Sequence, residues 1–537
     1  MSVRSIVIHG HFYQPPREDP WFDGIPVEAS AAPFHDWNER IEHECYRAVV
    51  AARVYGADGR IARIVNTLVD ISFDFGPTLL EWLERKAPDT YAAVLEADRL
   101  SRERHDGHGN AIAMPYHHAI LPLASRRDKV TEVRWGITDF RRRFGREPEG
   151  MWLPETAVDA ETLDVLAAEG IRFTILAPHQ VKGAPPDGSP GLYRTPGGRS
   201  IALFVYDGPI SHDVAFGPLL KDAKAWVERL TARGKAGSPP RFVAVATDGE
   251  TYGHHHRFGE IALAWLLDQL ARRRDARVEN CAAFLARHPA DREVKLVAPS
   301  SWSCSHGVER WRAECGCRMA AERPTQQRWR APLREALDWL AGELHARFER
   351  EGAAFFADPW AARDAHHPRD AGPPGRAGEL LELERNALRM FTSCGWFFDD
   401  IAGLESAQVL KYAARAIELT GADAPRLERG LLERLARAES NDPAVGTGRD
   451  IYVNRATRPA AAGELLSAIT ALEHDQSPRA LAAVTDLVDR LEREGGGPIP
   501  FDVQTKFYRI RTAAPPERAA QLASLAWRLG FAKEEDH

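Results

Sequence analysis

The chain has 537 residues and a formal net charge of −7 at pH 7, with 44% hydrophobic and 27% charged residues. A chain of this length exceeds one ordinary core, so we expect two or three domains. No long basic run is present, which argues against nucleic acid as a partner. Its longest apolar stretches are far shorter than the roughly 20 residues of a membrane span. The sequence enters an apolar strand within its first residues, which leaves no room for a secretory signal and predicts a cytoplasmic protein.

Six cysteines in a chain of this size do not indicate a disulfide framework, and we expect them to be reduced. Four of them, with His306 nearby, could instead hold a structural metal; they are Cys304, Cys315, Cys317 and Cys394. The Cys-x-Cys spacing differs from the Cys-x2-Cys pairs of common zinc sites. Partly buried thiols without a metal are therefore the preferred interpretation, and the metal is the alternative.

Strand-like and helix-like segments alternate along the first half of the chain. The predicted strands are, in chain order, Ser5–His9, Ile71–Phe75, Ala111–Met114, Gly150–Leu153, Phe173–Leu176, Ile201–Tyr206 and Phe242–Ala246. The helices predicted between or after them are Glu39–Tyr55, Thr78–Arg85, Lys129–Phe144, Ala160–Glu169 and Glu260–Arg273. This alternation predicts an α/β fold with a parallel sheet, either a barrel or a doubly wound sheet. In both folds the active site lies at the carboxyl ends of the strands.

The pattern becomes mainly helical after about residue 290. The predicted helices are Pro332–Glu351, Gly378–Phe391, Ser406–Thr420, Pro425–Ala438, Ala461–Leu472, Pro478–Glu494 and Pro515–Leu529. We therefore predict two domains, a catalytic one at residues 1–295 and a mainly helical one at residues 296–537. The second domain is expected to contribute to the active-site cleft.

Two carboxylates follow predicted strands and suit a pair of catalytic roles. Glu155 comes after Met151-Trp152-Leu153-Pro154, and Asp248 follows the apolar strand Phe242–Ala246. Two carboxyl groups delivered to one pocket are the apparatus of a glycosidase. Glu155 suits the nucleophile because Pro154 stiffens its backbone, and Trp152 can wall the pocket. Asp248 suits the acid/base because desolvation at the end of a buried strand raises a carboxyl pKa.

Histidines stand close to both strand ends. His9 and His11 are two residues apart on the first strand, so their side chains point to the same face. They could bind sugar hydroxyls or a metal. The run that begins at His254 follows Asp248 closely, and its histidines are either metal ligands or solvated loop residues.

Two motifs resemble those of glycoside hydrolase family 57 closely. They are Trp152-Leu153-Pro154-Glu155 and the segment from Asp248 to His254, Asp-Gly-Glu-Thr-Tyr-Gly-His. The resemblance implies a (β/α)7-type barrel, a retaining mechanism and α-glucan substrates, without an obligatory metal or other cofactor. It assigns the nucleophile to Glu155 and the acid/base to Asp248.

Three further motifs resemble the family less closely. His11 precedes Gln14-Pro15, with Phe12 and Tyr13 intervening. His118 stands in a segment that lacks the acidic residue of the family's second motif. The aromatic stretch that contains Trp396 and Asp399 resembles the fifth motif. The residues expected to bind substrate are His9, His11, His118, Trp152, His254, Trp396 and Asp399.

The leading hypothesis is therefore a retaining hydrolase or glucanotransferase of amylose, glycogen or maltooligosaccharides. Two alternatives remain open. One is a metal-dependent glycosidase or deacetylase on a related barrel, with His9, His11 and Asp248 or members of the histidine run as ligands. The other is a carbohydrate-binding protein without catalytic activity. The C-terminal half is expected to close the cleft through Trp396 and Asp399.

Overall fold

The computed structural model describes residues 3–21, 24–232, 241–319, 322–456, 460–475, 477–493, 499 and 501–531. Its strands are β1 (Arg4–Phe12), β2 (Ala52–Tyr55), β3 (Ile61–Val65), β4 (Ser72–Phe75), β5 (Phe173–Leu176), β6 (Val181–Lys182), β7 (Gly191–Arg194), β8 (Ser200–Val205), β9 (Phe242–Asp248), β10 (Ala276–Val278) and β11 (Lys295–Leu296). The α-helices between them are α1 (Trp37–Ile41), α2 (Arg47–Val49), α3 (Pro77–Lys86), α4 (Pro88–Arg104), α5 (Arg126–Phe144), α6 (Ala160–Ala168), α7 (Gly208–Ala215), α8 (Ala223–Thr231), α9 (Gly259–Ala271) and α10 (Cys281–Arg287).

A closed ring of parallel strands surrounds the centre of the N-terminal half. β1 pairs with β4 on one side and with β9 on the other. From β4 the ring continues through parallel bridges at residues 111–113 and 150–151 to β5, which pairs with β8. The backbone N–H of Asp207, just after β8, donates to the Ala244 carbonyl on β9 at 2.7 Å and closes the ring. The described residues thus form a barrel with seven strand positions, which confirms the predicted fold class.

The residues of β1 alternate between the two sides of the barrel wall. Ile6 and Ile8 pack outward against the surrounding helices, in the largest apolar cluster. Val7 packs with Trp152 and Phe173 in a separate cluster inside the barrel. His9 and His11 have the same parity as Val7, so their side chains continue this inner face toward the carboxyl end of the strand. Pairing of strands thereby brings polar residues to one mouth of the barrel.

The predicted helix Glu39–Tyr55 is wrong at its C-terminal end. The helical segment ends at Val49, and β2 then pairs antiparallel with β3. A tight turn makes this hairpin possible, because Gly59 adopts a φ of 75° and the Gly56 N–H donates to the Arg60 carbonyl at 2.8 Å. Tertiary pairing has therefore overridden the local helical pattern in this segment.

Helices dominate the C-terminal half, as predicted. They are α11 (Arg330–Gly352), α12 (Pro359–Ala365), α13 (Arg376–Arg389), α14 (Cys394–Phe397), α15 (Leu404–Glu418), α16 (Ala424–Leu435), α17 (Gly448–Ile451), α18 (Ala460–His474), α19 (Pro478–Arg493), α20 (Phe501–Ala513) and α21 (Pro516–Arg528). Glu494, at the end of one predicted helix, lies outside the described residues. Among the helices that the structure describes, none is long and apolar enough to cross a membrane.

A buried ionic cluster joins these helices to the barrel. The Arg363 guanidinium, which is fully buried, donates to Asp128 on α5 at 2.9 Å and to Glu384 on α13 at 2.7 Å. His345 on α11 contacts Glu384 at 2.9 Å and Asp128 at 3.5 Å. Burial disfavours the imidazolium, but the two carboxylates together raise the pKa of His345 to about 10. The cluster therefore pairs two cations with two carboxylates across three helices of the C-terminal half and one of the barrel.

Candidate active site

Asp248 stands at the carboxyl end of β9, opposite His11 in the strand register. Solvent reaches its side chain, yet protein atoms crowd around it on most sides. This desolvation raises the pKa of Asp248 to about 7, assisted by Glu250 and Glu155 and opposed by His11. The carboxyl group therefore exchanges its proton near neutral pH, which is the property that a general acid/base needs.

The residue after Asp248 is glycine because another side chain occupies the space. A Cβ atom on Gly249 would lie 2.2 Å from the ring of Phe12. Glu250 is buried next to it, accepting a hydrogen bond from the Tyr46 hydroxyl and another from the Tyr13 backbone N–H, the latter at 3.3 Å. Close packing against β1 thus fixes the backbone that carries Asp248.

Glu155 is held in a strained turn at the end of the strand position at residues 150–151. It adopts a φ of 56°, and Thr156 follows with a φ of 48°. Left-handed conformations of non-glycine residues cost about 1–3 kcal/mol each and persist only where surrounding contacts enforce them. This strain presents the Glu155 carboxylate in a defined direction.

Two donors from a later loop hold the Glu155 carboxylate. Oε2 accepts hydrogen bonds from Trp302 Nε1 at 3.1 Å and from Ser303 Oγ at 2.6 Å. The Trp302 backbone N–H also donates to the Glu155 carbonyl at 3.1 Å. Both side-chain donors bind Oε2. They therefore orient the carboxylate, and neither of them binds Oε1.

The buried side chain of Gln180 forms hydrogen bonds to the strained turn. Gln180 Oε1 accepts from Thr156 Oγ1 at 2.9 Å and from the Ala177 N–H at 2.8 Å. Its Nε2 donates to the Thr156 carbonyl at 2.8 Å and to Ser300 Oγ at 3.2 Å. Because these bonds grip Thr156 on both sides, Gln180 supplies the contacts that enforce the left-handed backbone.

Asp74 on β4 organises both N-terminal histidines. His9 Nε2 lies 3.0 Å from Asp74 Oδ1, and His11 Nδ1 lies 2.8 Å from Asp74 Oδ2. Burial disfavours the imidazolium of His11, but Asp74, Asp248 and Glu250 raise its pKa to about 9. In His9, burial outweighs Asp74 and lowers the pKa. The site therefore holds a neutral and a charged imidazole on one aspartate.

His118 continues this chain of contacts toward the C-terminal half. Its Nε2 lies 3.2 Å from His11 Nε2, and its Nδ1 lies 2.6 Å from Ser393 Oγ. Burial and the adjacent His11 hold the pKa of His118 well below its usual range. A charged His11 therefore donates to a neutral His118, whose Nδ1–H donates to Ser393. His118 also has a φ of 56° and stacks on Tyr13, with ring centroids 3.7 Å apart.

Trp152 forms the wall behind the histidines. It is fully buried and stacks on His9 and His11, with centroid distances of 4.7 and 5.3 Å. Trp302 meets its ring edge-on at 5.1 Å and is only partly buried. Six of the nine predicted site residues thus lie together at this mouth of the barrel: His9, His11, His118, Trp152, Glu155 and Asp248.

The other three predicted site residues have different surroundings. His254 pairs with Glu44 and lies edge-on to Trp37. Trp396 is buried within the C-terminal helices, where its Nε1 donates to the Arg330 carbonyl at 3.2 Å. Asp399 accepts a hydrogen bond from the Met319 N–H at 2.8 Å. Within the same motif, Ser393 is the residue that contacts a site histidine. Cys394 is partly buried, and desolvation, Glu405 and Glu155 raise the pKa of its thiol.

Several residues that build the site were not predicted. Asp74 was open to detection, because it is the charged residue on the inward parity of a predicted apolar strand. Glu250 stood inside a recognised motif without a role. Gln180, Ser303 and Ser393 carry no local signal, since they reach the site only through the tertiary fold.

Two family models match the chain. Residues 36–297 match Glycosyl hydrolase family 57, and residues 326–368 and 365–475 match a domain of unknown function, DUF3536. A 4-alpha-glucanotransferase of Thermococcus litoralis is 23% identical over 192 residues, which are 34% of this chain and 26% of that protein. The chain thus spans about a quarter of the length of this curated relative.

Solved structures share the fold. An exo-type maltose-forming amylase from Pyrococcus sp. ST04 superposes with a TM-score of 0.64 at 15% identity, covering 98% of this chain and 95% of that one. A GH57-type branching enzyme from Pyrococcus horikoshii gives a TM-score of 0.51 at 16% identity, covering 82% and 92%. At these identities the similarity establishes the fold alone. The matched models show that residues 36–297 form a glycosyl hydrolase family 57 domain and that a DUF3536 domain follows in the C-terminal half.

Proposed function

We propose that the protein is a retaining enzyme that hydrolyses or transfers α-linked glucans by double displacement. The observation that carries this proposal is the pairing of two unlike carboxyl groups. Asp248, with its pKa near 7, suits a proton donor and acceptor, and it lies close enough to Glu155 to feel its charge. Glu155 is oriented by Trp302 and Ser303. Two carboxyl groups in different environments are what a double displacement requires.

The first step is glycosylation of the enzyme. An oxygen of Glu155 forms a bond to the anomeric carbon while the bond from that carbon to the leaving oxygen breaks. Asp248 gives its proton to the leaving oxygen, so that no free alkoxide is released. Because Oε2 is the oxygen held by Trp302 and Ser303, Oε1 is the attacking atom in this proposal.

The second step releases the sugar. The Asp248 carboxylate takes a proton from water or from a sugar hydroxyl, whose oxygen then displaces Glu155 from the anomeric carbon. Water gives hydrolysis, and a sugar hydroxyl gives transfer. Relatives named as amylase, glucanotransferase and branching enzyme support both outcomes for an α-glucan substrate.

The histidines and aromatic rings are proposed to bind the reacting sugar. His11 lies opposite Asp248 in the strand register, and the partly buried rings of Trp302 and Tyr206 offer apolar faces for a pyranose. Trp152, His9 and His118 are almost completely buried, which favours a supporting role behind this surface. His254, Trp396 and Asp399 remain predictions whose described contacts do not support direct substrate binding.

The metal-dependent alternative loses support from the same contacts. Both ring nitrogens of His9 have protein partners, Ser72 Oγ and Asp74 Oδ1. Both ring nitrogens of His11 are likewise engaged, by Asp74 and His118. Imidazoles satisfied in this way act as hydrogen-bonding groups rather than as free ligands for a catalytic metal.

Product analysis with matched variants tests the proposal. Wild type, Glu155→Gln and Asp248→Asn are incubated with amylose, glycogen and a maltooligosaccharide ladder, and the products are separated by chain length. Glu147→Gln and Asp58→Asn make the same chemical changes at exposed positions and serve as controls. We expect new products from wild type and controls, none from Glu155→Gln, and a rate lowered about 10²–10⁴-fold in Asp248→Asn.

The anomeric configuration and azide rescue give independent readouts. Proton NMR of early hydrolysis products should show the α-anomer first, because two displacements restore the starting configuration. Azide should restore turnover in Glu155→Ala by forming a glycosyl azide of inverted configuration. Undiminished activity in Glu155→Gln, or release of the β-anomer first, would refute the proposal.

A further inference from the structure

We propose that Cys304, His306, Cys315 and Cys317 bind one zinc ion, and that this ion fixes the loop that holds Glu155. The four residues lie between the barrel and the first long C-terminal helix, α11. Their ligand atoms all fall within 4.8 Å of one another, although the two pairs are separated by several residues of sequence. Among the residues that the structure describes, they form a metal-competent cluster apart from the carboxylates of the candidate active site.

Three of the six separations between the ligand atoms match a tetrahedron around zinc, and the other three are at most 4.8 Å. Cys304 Sγ lies 3.9 Å from Cys315 Sγ and 3.8 Å from Cys317 Sγ. Cys317 Sγ lies 3.6 Å from His306 Nδ1. With Zn–S bonds of about 2.3 Å and Zn–N bonds of about 2.05 Å, tetrahedral angles require S···S distances of about 3.8 Å and S···N distances of about 3.6 Å. The three separations given above agree with these values.

A disulfide accounts for the cluster less well. The sulfur atoms lie almost twice as far apart as the roughly 2.05 Å of an S–S bond. Any disulfide among Cys304, Cys315 and Cys317 would also leave the third thiol and His306 without a role. Three thiolates and one imidazole instead make a complete zinc ligand set, which leaves no open position and is therefore structural rather than catalytic. Soft sulfur ligands also select zinc over magnesium or calcium.

The surroundings also supply charge for an anionic complex. Zinc with three thiolates and a neutral imidazole carries a net charge of −1. The buried Arg330 guanidinium lies beside Cys315 and Cys317, and it donates to the Cys317 carbonyl at 2.9 Å. Its other described hydrogen bonds go to the carbonyls of Phe397 and Phe398, which are neutral. A buried cation is costly without a nearby anion, and the zinc complex, with Asp399, would provide it.

The position of the site gives the ion a consequence for Glu155. Cys304 directly follows Ser303, and Ser303 Oγ donates to Glu155. Arg310 fastens the same turn, since it donates to the Ser303 carbonyl at 3.1 Å and to the Phe397 carbonyl. An ion that joins residues 304 and 306 to residues 315 and 317 would therefore hold Ser303 and Trp302 in place. This positioning role, unlike the zinc site itself, rests on the proposed function.

Metal analysis of the full-length chain tests the zinc site directly. Protein expressed without a histidine tag in zinc-supplemented medium is passed through a desalting column, and its metal content is measured by mass spectrometry. We expect about one zinc per chain. The zinc content of the double variant Cys315→Ser/Cys317→Ser should be at least about fivefold lower than that of wild type, since two of the four ligands are gone. Cys281→Ala removes a buried barrel cysteine outside the cluster and should retain it.

Cobalt provides a readout that does not depend on how well the variants fold. Wild-type protein exchanged into Co²⁺ should show the visible absorption bands of tetrahedral thiolate coordination. The milder variant His306→Gln, at an exposed ligand, should shift these bands while keeping the fold. Folded wild-type protein with less than about 0.1 zinc per chain and no such bands would overturn the inference, as would full zinc retention in the double variant. A chain that binds zinc yet does not turn over α-glucans would refute the proposed function and leave the zinc site intact.

Discussion

Replacing Gln180 by leucine should damage both stability and catalysis, because this amide sustains the strained turn at Glu155. Leucine fills a similar volume without polar atoms. It leaves the Thr156 hydroxyl, the Thr156 carbonyl and the Ala177 N–H without their partner. Each buried unsatisfied group costs about 1–3 kcal/mol. Three of them at the lower end give about 3 kcal/mol, which is a large part of a typical folding free energy.

The same change should also release the left-handed backbone. Glu155 and Thr156 keep φ values of 56° and 48° at a cost of about 1–3 kcal/mol each. Once Gln180 is gone, relaxation of this turn would move the carboxylate away from its direction toward the substrate. We expect kcat to fall at least about tenfold, which corresponds to about 1.4 kcal/mol of barrier. KM should change less, because the residues proposed to bind the sugar are not altered.

Thermal unfolding and steady-state kinetics check both parts. We expect the melting temperature of Gln180→Leu to fall by about 5 °C. Gln269→Leu is the matched control, because Gln269 is partly exposed on α9 and makes one long hydrogen bond to Asp268. If Gln180→Leu melts within about 1 °C of this control and keeps wild-type kcat, the reasoning about the turn is wrong.

Three further predictions follow from the charges and donors of the structure. Activity should decline as the pH rises past about 7, because Asp248 must be protonated to act as an acid. His11→Asn should move the midpoint of this decline upward by about one pH unit, since the charge of His11 lowers the pKa of Asp248. A midpoint of kcat/KM that is unchanged or lowered in the variant would contradict this. Trp302→Phe removes one donor to Glu155 and should lower kcat about tenfold, whereas Trp37→Phe, which loses an exposed bond to Ser30, should keep wild-type kcat. The pKa of His345 is about 10 in the folded state and about 6.5 in the unfolded state, so its stabilisation is complete below the lower value and is lost as the pH rises through the higher one. Between these pH values the melting temperature should therefore fall less for His345→Gln than for wild type. Equal falls in melting temperature would count against the cluster.

The barrel and the two carboxylates could be predicted because their signals are local. Buried parallel strands appear as apolar runs, and the segment from Phe242 to Ala246 shows this most clearly. The histidine pair was predictable as well, since alternation along one strand places His9 and His11 on the same face. What these signals could not give is the partner of each group, because Asp74, Gln180 and Ser303 lie far from their partners in sequence.

The predicted cysteine cluster also shows that local sequence signals do not identify tertiary partners. The sequence grouped Cys394 and the nearby His306 with Cys304, Cys315 and Cys317. The structure keeps His306 with these three cysteines but leaves Cys394 outside the cluster, near Glu155. The hairpin at Ala52–Tyr55 was missed for a related reason, since only pairing with a second strand distinguishes it from a continued helix. In each case the deciding contact is tertiary.

The contact between His118 and Ser393 has a consequence for recombination between related genes and for protein engineering. The hydroxyl that completes His118 comes from a residue 275 positions later in the chain. Recombination that exchanged everything after the barrel would therefore replace a partner of the active site, not merely an attached module. Chimaeras joined near residue 297 should need a matching serine at the new fifth motif before they become active. The two halves of this gene are in that sense one functional unit, and libraries that shuffle them should keep residues 393 and 118 from the same parent.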